Sequence, residues 1–262
     1  MRLITLMYHD VEETGRGAAS GFRGPGAARY KLTPRAFRQH LDTLASVLPA
    51  PPGIAVKFLA NPQAAGVLLT FDDGGCSSRA PIADLLEERG WRGHFLVTTD
   101  FINSAGFLSA EQIRLLHRRG HVIGSHSCSH PQHMAHCPWE QLVSEWARSC
   151  AILRDIVGEP ATVASVPGGS YSRRVAEAAA LAGIRVLFTS EPTTRIRQVN
   201  HCWVVGRYTI YAGTTAPSVT ALVSRQPWRR LSQMLAWNVK KLAKAVGGRG
   251  YLALRQRLLA RT

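Results

Sequence analysis

Apolar runs of strand length alternate with amphipathic helical segments along most of the chain, and this alternation constrains the fold more than any other feature. Residues 3–9, 67–71 and 94–98 are apolar runs of strand length. Between the first two, Thr33 is suited to cap a helix whose apolar side chains recur at helical spacing up to residue 48. Such a succession predicts a parallel sheet covered by helices, open or closed as a barrel. In these folds the chemistry lies at the carboxyl ends of the strands.

The composition excludes several classes of protein. Of the 262 residues, 45% are hydrophobic and 19% are charged, which suits a sizeable core and excludes a disordered chain. No apolar run approaches the roughly 18–20 residues of a membrane span, and the apolar beginning is too short for a signal peptide. Five cysteines are sparse and odd in number, which indicates a reducing compartment rather than a disulfide framework. We therefore expect a cytoplasmic protein.

The positive charge is concentrated at the end of the chain. The net charge is +15, yet Glu191 is the last acidic residue, and thirteen basic residues follow it. Such a segment predicts an anionic partner, which could be lipid head groups, an acidic polymer or nucleic acid. Nucleic acid is the least expected of the three, because no known nucleic-acid-binding motif accompanies the charge.

Two clusters of polar residues follow predicted strands. Asp72 and Asp73 come directly after the run 67–71, and adjacent carboxylates at a strand end point in different directions. One of them can bind a metal while the other handles a proton, although a helix N-cap with a spare acid is the alternative. His126 and His130, four residues apart, can meet one metal from a tight turn. The alternatives there are a surface histidine cluster and a structural zinc site that uses nearby cysteines.

Three segments together resemble the NodB-type polysaccharide deacetylases. They are Thr70-Phe71-Asp72-Asp73-Gly74, the pair His126 and His130 with Ser127 between them, and the Pro167-Gly168-Gly169-Ser170-Tyr171 segment. The resemblance implies a distorted (β/α)₇ barrel, one divalent metal, with zinc expected, and removal of acetyl groups from N-acetylated sugars.

The resemblance also implies roles for individual residues. Asp73, His126 and His130 would bind the metal, and three protein ligands leave positions open for catalysis. Asp72 would be the general base, and the backbone N–H group of Gly168 would stabilise the oxyanion.

No histidine follows His201, so the family's C-terminal Leu-x-x-His segment, which supplies the general acid, is absent. The segment Leu6-Met7-Tyr8-His9 has the same pattern at the other end of the chain. It resembles the permuted branch that contains the poly-N-acetylglucosamine deacetylases, so His9 is assigned as the acid and Asp10 as its partner. A structural histidine that anchors the first strand is the alternative.

The sequence departs from the family at the third motif. Ser165 stands where the family often has an arginine that orients the catalytic aspartate. We expect Arg207 to act near the substrate and oxyanion, where it could supply the missing guanidinium from the next strand end. Tyr171 could form a wall for the acetyl group or for a sugar face.

The end of the chain predicts a basic amphipathic helix beyond the barrel. On a helical wheel of residues 228–246, apolar side chains beginning with Trp228 form one stripe. Such helices lie on anionic membranes, but the stripe could equally pack on the barrel. We expect a catalytic barrel over residues 1–212 and a helical extension over 213–262. The predicted contacts to membrane or polyanion are Trp228, Arg229, Arg230, Lys240, Lys241 and Lys244.

The sequence thus predicts a metal-dependent deacetylase of N-acetylhexosamine units in a surface polysaccharide, an exopolysaccharide or a lipid-linked precursor. Its partners would be an N-acetylated glycan and an anionic membrane surface, with the protein peripheral at the inner face of the membrane. Two alternatives stay open. One is hydrolysis of another amide, such as a formamido sugar, a cyclic imide or peptidoglycan. The other is a catalytically weak barrel that binds membrane or polyanion.

Overall fold

The computed structural model describes residues 3–13, 19–59, 66–224 and 228–239. Within those residues, nine strands form one sheet with the spatial order β7-β8-β6-β5-β4-β3-β2-β1-β9. The strands are β1 Ile4–Tyr8, β2 Val67–Phe71, β3 His94–Val97, β4 Val122–Ser125, β5 Val163–Ser165, β6 Val186–Phe188, β7 Arg197–Val199, β8 Cys202–Val205 and β9 Tyr208–Thr209.

Helices cover the sheet. They are α1 Pro25–Ala28, α2 Pro34–Val47, α3 Ala55–Leu59, α4 Asp84–Glu87, α5 Ala110–Arg118, α6 Trp139–Val157, α7 Arg173–Leu181 and α8 Ala216–Val223, and residues 228–239 are also helical. Short helical turns follow several strands, including Cys76–Ser78 after β2, Thr99–Phe101 after β3 and Pro167–Gly169 after β5.

The predicted α/β fold is confirmed, in the form of a curled half-barrel sheet. All strand pairs are parallel except β7 with β8. The last residues of β1 and β2, Tyr8 and Phe71, are paired, and Val97 at the end of β3 is paired with Ser125 at the end of β4. This register brings the residues that follow these strands to one edge of the sheet. Among the described strands, the two edge strands β7 and β9 are not paired with each other, so this barrel is not closed by hydrogen bonds.

Local sequence signals explain where two of the helices begin. The side chain of Thr33 accepts a hydrogen bond from the N–H group of Ala36, as its N-cap position predicts. Ser109 and Gln112 form a complete capping box at the start of α5. Helix α6 ends at Gly158, whose φ of 86° lies in the left-handed region that favours glycine.

The barrel packing extends beyond the predicted boundary at residue 212. Helix α8 packs against α2, and Val219, Leu222 and Val223 are buried in the same apolar core cluster as Phe37 and Leu41. Burying these side chains adds apolar area to the core, so residues 216–223 are part of the barrel rather than of an extension.

The helix over residues 228–239 places its apolar stripe outward. Trp228, Leu235 and Val239 are 73%, 62% and 67% exposed, while the opposite side holds Gln233 and Trp237, which are partly buried. The alternative in which the stripe packs on the barrel is therefore wrong for these residues. Lys240, Lys241 and Lys244 lie outside the described residues.

Side chains on the inward face of this helix form hydrogen bonds with backbone N–H and C=O groups of the barrel. Arg230 donates to the carbonyl oxygens of Leu222 and Ser224 at the end of α8. The Gln233 amide bonds both the N–H and the C=O of Thr209, on the strand at the edge of the sheet. The expectation that Arg230 contacts a membrane is therefore corrected, because its guanidinium is used within the protein. In the described part of the chain, no helix is both long and apolar enough to cross a bilayer.

Candidate active site

Asp73, His126 and His130 come together at the carboxyl edge of the sheet. The Oδ1 atom of Asp73 lies 3.4 Å from His126 Nε2 and 3.6 Å from His130 Nε2. These separations are longer than good N–H···O hydrogen bonds. They match the spacing of about 3.4 Å between two ligands that each lie about 2.1 Å from one tetrahedral ion. The donor set therefore fits a shared cation, and it is the one such cluster among the described residues.

The backbone around these ligands is tightly turned. Asp73, Ser127 and His130 have φ values of 77°, 64° and 58°, which are uncommon for residues other than glycine. Glu145 on α6 holds the histidine loop, because its carboxylate accepts hydrogen bonds from the N–H groups of Cys128 and Ser129 and from the Ser129 hydroxyl. The packing of α6 therefore sets the position of His130.

Sequence reasoning missed Glu145, although a signal existed. The buried stripe of α6 consists of Leu142, Glu145, Trp146, Ser149 and Leu153, at helical spacing. A carboxylate within an apolar stripe must find partners when it is buried, since an unpaired buried charge is costly. The stripe alone could have marked this residue as one that organises a neighbouring loop.

His126 is oriented by the strand beside it. Its Nδ1 atom lies 3.0 Å from the backbone oxygen of Ser165 and 2.6 Å from the hydroxyl of the same residue. A carbonyl partner at Nδ1 favours a proton on that atom, so Nε2, the nitrogen nearer to Asp73, is the one that can bind a metal. Metal-binding histidines typically make such a hydrogen bond through the ring nitrogen that does not bind the metal.

Asp72 is held by a buried two-point ion pair with Arg207. Arg207 Nη1 lies 2.6 Å from Asp72 Oδ1, and Nη2 lies 2.7 Å from Oδ2. Arg207 is fully buried, and its other donors bond Thr70 Oγ1 and the backbone oxygen of Thr189. The Ser165 hydroxyl also donates to Asp72 over 3.1 Å.

These contacts correct the expectation for Arg207. The guanidinium does not face a substrate or an oxyanion, since all of its described contacts are to buried protein groups. As the sequence suggested, it supplies Asp72 with the guanidinium that the third motif lacks, from a position directly after β8. Ser165, which departs from the family pattern, is itself hydrogen-bonded to Asp72 and to His126.

The charges at the site favour ionised carboxylates. Burial alone would raise the pKa of Asp72, but Arg207 and His126 outweigh it and hold that pKa well below its usual range. The pKa of Asp73 is lowered as well, because the neighbouring imidazoles of His126 and His9 outweigh burial. Burial and the neighbouring His126 lower the pKa of His130 to about 4. His130 is therefore neutral near pH 7, the form in which histidine binds metals.

His9 follows β1 and lies at the same edge. Its imidazole lies near enough to both Asp72 and Asp73 to help lower their pKa values, and its ring packs on Tyr30 with centroids 4.5 Å apart. Its buried Nδ1 atom has no hydrogen-bond partner within the described residues.

Asp10 does not pair with His9, contrary to expectation. Its carboxylate accepts hydrogen bonds from Ser20 at 2.5 Å and from Ser77 at 2.8 Å, and so ties the loop after residue 19 to the turn after β2. The same loop carries Phe22, whose ring lies 4.7 Å from that of His130. Asp10 thus anchors the rim of the site.

Gly168 and Tyr171 lie on the segment after β5. Gly168 has a φ of 58°, and a Cβ atom there would lie 3.1 Å from the backbone oxygen of Gln132, so a tight turn and a close approach both require glycine. Tyr171 packs against the core cluster around α7, and the guanidinium of Arg197 lies 5.9 Å from its ring. These contacts use Tyr171 in packing, and none of them reaches the metal-binding cluster.

The fold and the site define a deacetylase-like barrel, and comparisons with known proteins agree. Residues 60–187 match the family described as polysaccharide deacetylase. The resemblance to the NodB-type polysaccharide deacetylases that was drawn from the motifs is thereby confirmed. The matched span begins after β1, so β1 and His9 at its end precede that span in the chain, although β1 lies beside β2 in the sheet.

Individual relatives extend the likeness over most of the chain. "Putative polysaccharide deacetylase YxkH" of Bacillus subtilis (strain 168) is 23% identical over 224 residues, which cover 84% of this chain and 73% of that protein. The solved structure of the Streptococcus pyogenes deacetylase PplD has a TM-score of 0.72 at 17% identity, covering 86% of this chain and 99% of PplD. A de-N-acetylase of Aggregatibacter actinomycetemcomitans has a TM-score of 0.68 at 17% identity, covering 85% and 100%. At these identities the solved structures establish the fold.

Proposed function

We propose that the protein is a metal-dependent hydrolase that removes the acetyl group from N-acetylhexosamine units of a surface polysaccharide, an exopolysaccharide or its lipid-linked precursor. The observation that carries the proposal is the convergence of Asp73, His126 and His130 beside the clamped carboxylate of Asp72. Among the similar proteins, PplD was solved in complex with acetate, the product of such a reaction.

Asp73, His126 and His130 would hold the cation. One carboxylate oxygen and two imidazole nitrogens, with space for further ligands, form a set that suits zinc. When bound, a divalent cation lowers the pKa of water and polarises the amide carbonyl.

The chain's own residues supply the proton transfers. Asp72 is ionised and fixed by Arg207, so it can take a proton from the attacking water while its orientation stays constant. The N–H group of Gly168 would donate to the carbonyl oxygen as negative charge develops there. His9, whose ring lies at the same edge, would protonate the departing amine.

The catalytically weak alternative loses one of its two supports. It rested on Ser165, which replaces the family's arginine, and on the lack of a late aspartate to tune the acid histidine. Arg207 supplies a guanidinium to Asp72 with two hydrogen bonds, whereas Asp10 is bonded to Ser20 and Ser77 and does not pair with His9. Hydrolysis of another amide remains the second candidate, since the metal-binding cluster acts on the amide and not on the sugar.

Acetate release from N-acetylglucosamine oligomers tests the proposal. We expect release by the zinc-loaded protein and its loss in the Asp72→Asn variant, with zinc content unchanged. Formamido-sugar and peptidoglycan substrates should be assayed in parallel. Turnover of one of those without acetate release from the oligomers would replace the proposed substrate, and no turnover of any amide would overturn the enzyme proposal.

A further inference from the structure

The helix over residues 228–239 presents an apolar surface that the barrel does not cover. Its outward face, which we call the apolar face, consists of Trp228, Leu231, Met234, Leu235 and Val239, and all five side chains are exposed. Contiguous exposed apolar side chains of this size are uncommon on a soluble surface and mark a place where something binds.

The apolar face is not a packing surface that merely failed to meet the barrel. The opposite side of the helix already makes those contacts, through Arg230 on the end of α8 and Gln233 on Thr209. Turning the helix to bury the apolar face would break these hydrogen bonds and leave the edge of β9 unpaired. The observed orientation therefore leaves the apolar face open to a partner other than the barrel.

The charge of the sequence in this region indicates the kind of partner. Glu191 is the last acidic residue of the chain, and it is paired with Arg197. Every charged residue after Glu191 is basic, and Arg229 lies exposed within the helix itself. A helix that combines an aromatic and aliphatic face with an exposed arginine, in a stretch of sequence whose charged residues are all basic, has the chemistry of one that lies in the interface of an anionic bilayer.

We propose that the apolar face docks on an anionic lipid bilayer. The same helix lies beside the candidate active site, because the Trp237 ring approaches Gly169 so closely that a Cβ there would lie 3.1 Å from it. Docking therefore brings the rim of the site to the membrane surface. Resting on the proposed function, this location makes a lipid-linked glycan the expected form of substrate and gives the protein a peripheral position on the membrane.

Vesicle co-sedimentation of the full chain tests the docking, with phosphatidylcholine vesicles that contain or lack about 30 mol% phosphatidylglycerol. We expect binding to the anionic vesicles at low salt and weaker binding at high salt, because screening removes the electrostatic part. Replacing Leu231 and Leu235 together by serine should weaken the binding about tenfold or more, since two buried leucines are lost.

Leu181→Ser is the matched control. Leu181 is 67% exposed at the end of α7, where the chain turns back to enter β6 at the end of the sheet away from the site. The control should bind as the wild type does, and circular dichroism should show all variants folded. Absence of binding to anionic vesicles at low salt would overturn the proposal, as would equal weakening by Leu181→Ser.

Two other occupants would also be recognised. A dimer that the double serine variant converts to a monomer would identify a second copy of the chain on the apolar face and reject the bilayer. Hydrogen exchange that shows this face protected in the free monomer, without vesicle binding, would assign it to residues 240–262. Because sedimentation does not depend on hydrolysis, either result leaves the deacetylase proposal standing.

Discussion

The two halves of the candidate active site differ in how far the protein alone completes them. On one side, Asp72 and Arg207 are joined by two hydrogen bonds of 2.6 and 2.7 Å, and both side chains are buried. On the other side, Asp73 lies 3.4 and 3.6 Å from two imidazoles, too far for strong hydrogen bonds. The first half is finished by protein contacts, whereas the second has the spacing of ligands that share an ion. Asp72 is therefore held in place by the protein alone, whereas Asp73 and the two histidines have the geometry of a site that binds an ion.

Removal of the metal should reduce the activity most, because Asp73, His126 and His130 form a complete site only when they share an ion. We expect chelation to abolish acetate release, and added zinc to restore it. His126→Ala should lose both the metal and the activity, while His136→Ala, an exposed histidine ten residues further on, should keep both. Metal analysis together with the acetate assay makes the measurement, and full turnover in a verified metal-free sample would contradict the account.

Asp72→Asn should come next, because it removes the base and leaves the metal-binding half in place. General-base catalysis is worth about 10²–10⁴-fold, so kcat should fall within that range while zinc content stays at the wild-type level. Asp100→Asn, at an exposed carboxylate after β3, is the control. A kcat near that of the wild type would move the base to another residue.

Arg207→Met should destabilise the protein and change its pH dependence. Breaking one partner of a buried ion pair costs about 3–5 kcal/mol in the free energy of unfolding. Because Arg207 lowers the pKa of Asp72, that pair stabilises the fold above the unfolded pKa of about 3.9 and less as the pH falls below it. Urea unfolding at several pH values should therefore show the gap between wild type and variant narrowing below about pH 4.

The same variant sharpens the assignment of Arg207 as a positioning residue. Without the guanidinium, burial raises the pKa of Asp72, so the acidic limb of the kcat/KM profile should move to higher pH. Arg207→Lys should recover part of this shift, since lysine keeps the charge but not the two-point contact. An unmoved acidic limb in both variants would show that Arg207 is only structural.

We expect the smallest effect from Glu145, which supports the loop between His126 and His130 and so influences the metal affinity only indirectly. Glu145→Gln keeps the size of the side chain but weakens three hydrogen bonds that hold the backbone between His126 and His130. Changes of this indirect kind typically cost about 10–100-fold in metal affinity. Zinc titration with a competing chelator measures it, with Glu140→Gln on the exposed side of α6 as the control. Equal affinities in the two variants would remove Glu145 from the account.

Sequence patterns predicted the parts of this site that are local in the chain. Asp72, Asp73, His126 and His130 follow directly after β2 and β4, and parallel strands place such residues at one edge. Family resemblance then supplied their roles, which remain predictions.

Contacts between residues that are distant in the sequence depend on the curvature of the sheet, and local sequence patterns do not specify their geometry. Arg207 reaches Asp72 across 135 residues, and only the return of the chain from β8 to β9 beside β1 brings them together. Asp10 was misassigned for a related reason, because its neighbour His9 points elsewhere while Ser20 and Ser77 reach it from other segments.

The helix over residues 228–239 shows a further limit of sequence patterns. A helical wheel identifies the apolar stripe but does not say which side faces the barrel. Here the hydrogen bonds of Arg230 and Gln233 to open backbone groups decide the orientation, and those groups are known only once α8 and β9 are in place.

Anomalous diffraction from zinc-soaked crystals tests the central claim most directly. We expect one strong peak about 2.0–2.2 Å from an Asp73 carboxylate oxygen and from the Nε2 atoms of His126 and His130, with Asp72 still held by Arg207. A peak elsewhere on the chain, or none at this cluster at saturating zinc, would contradict the account.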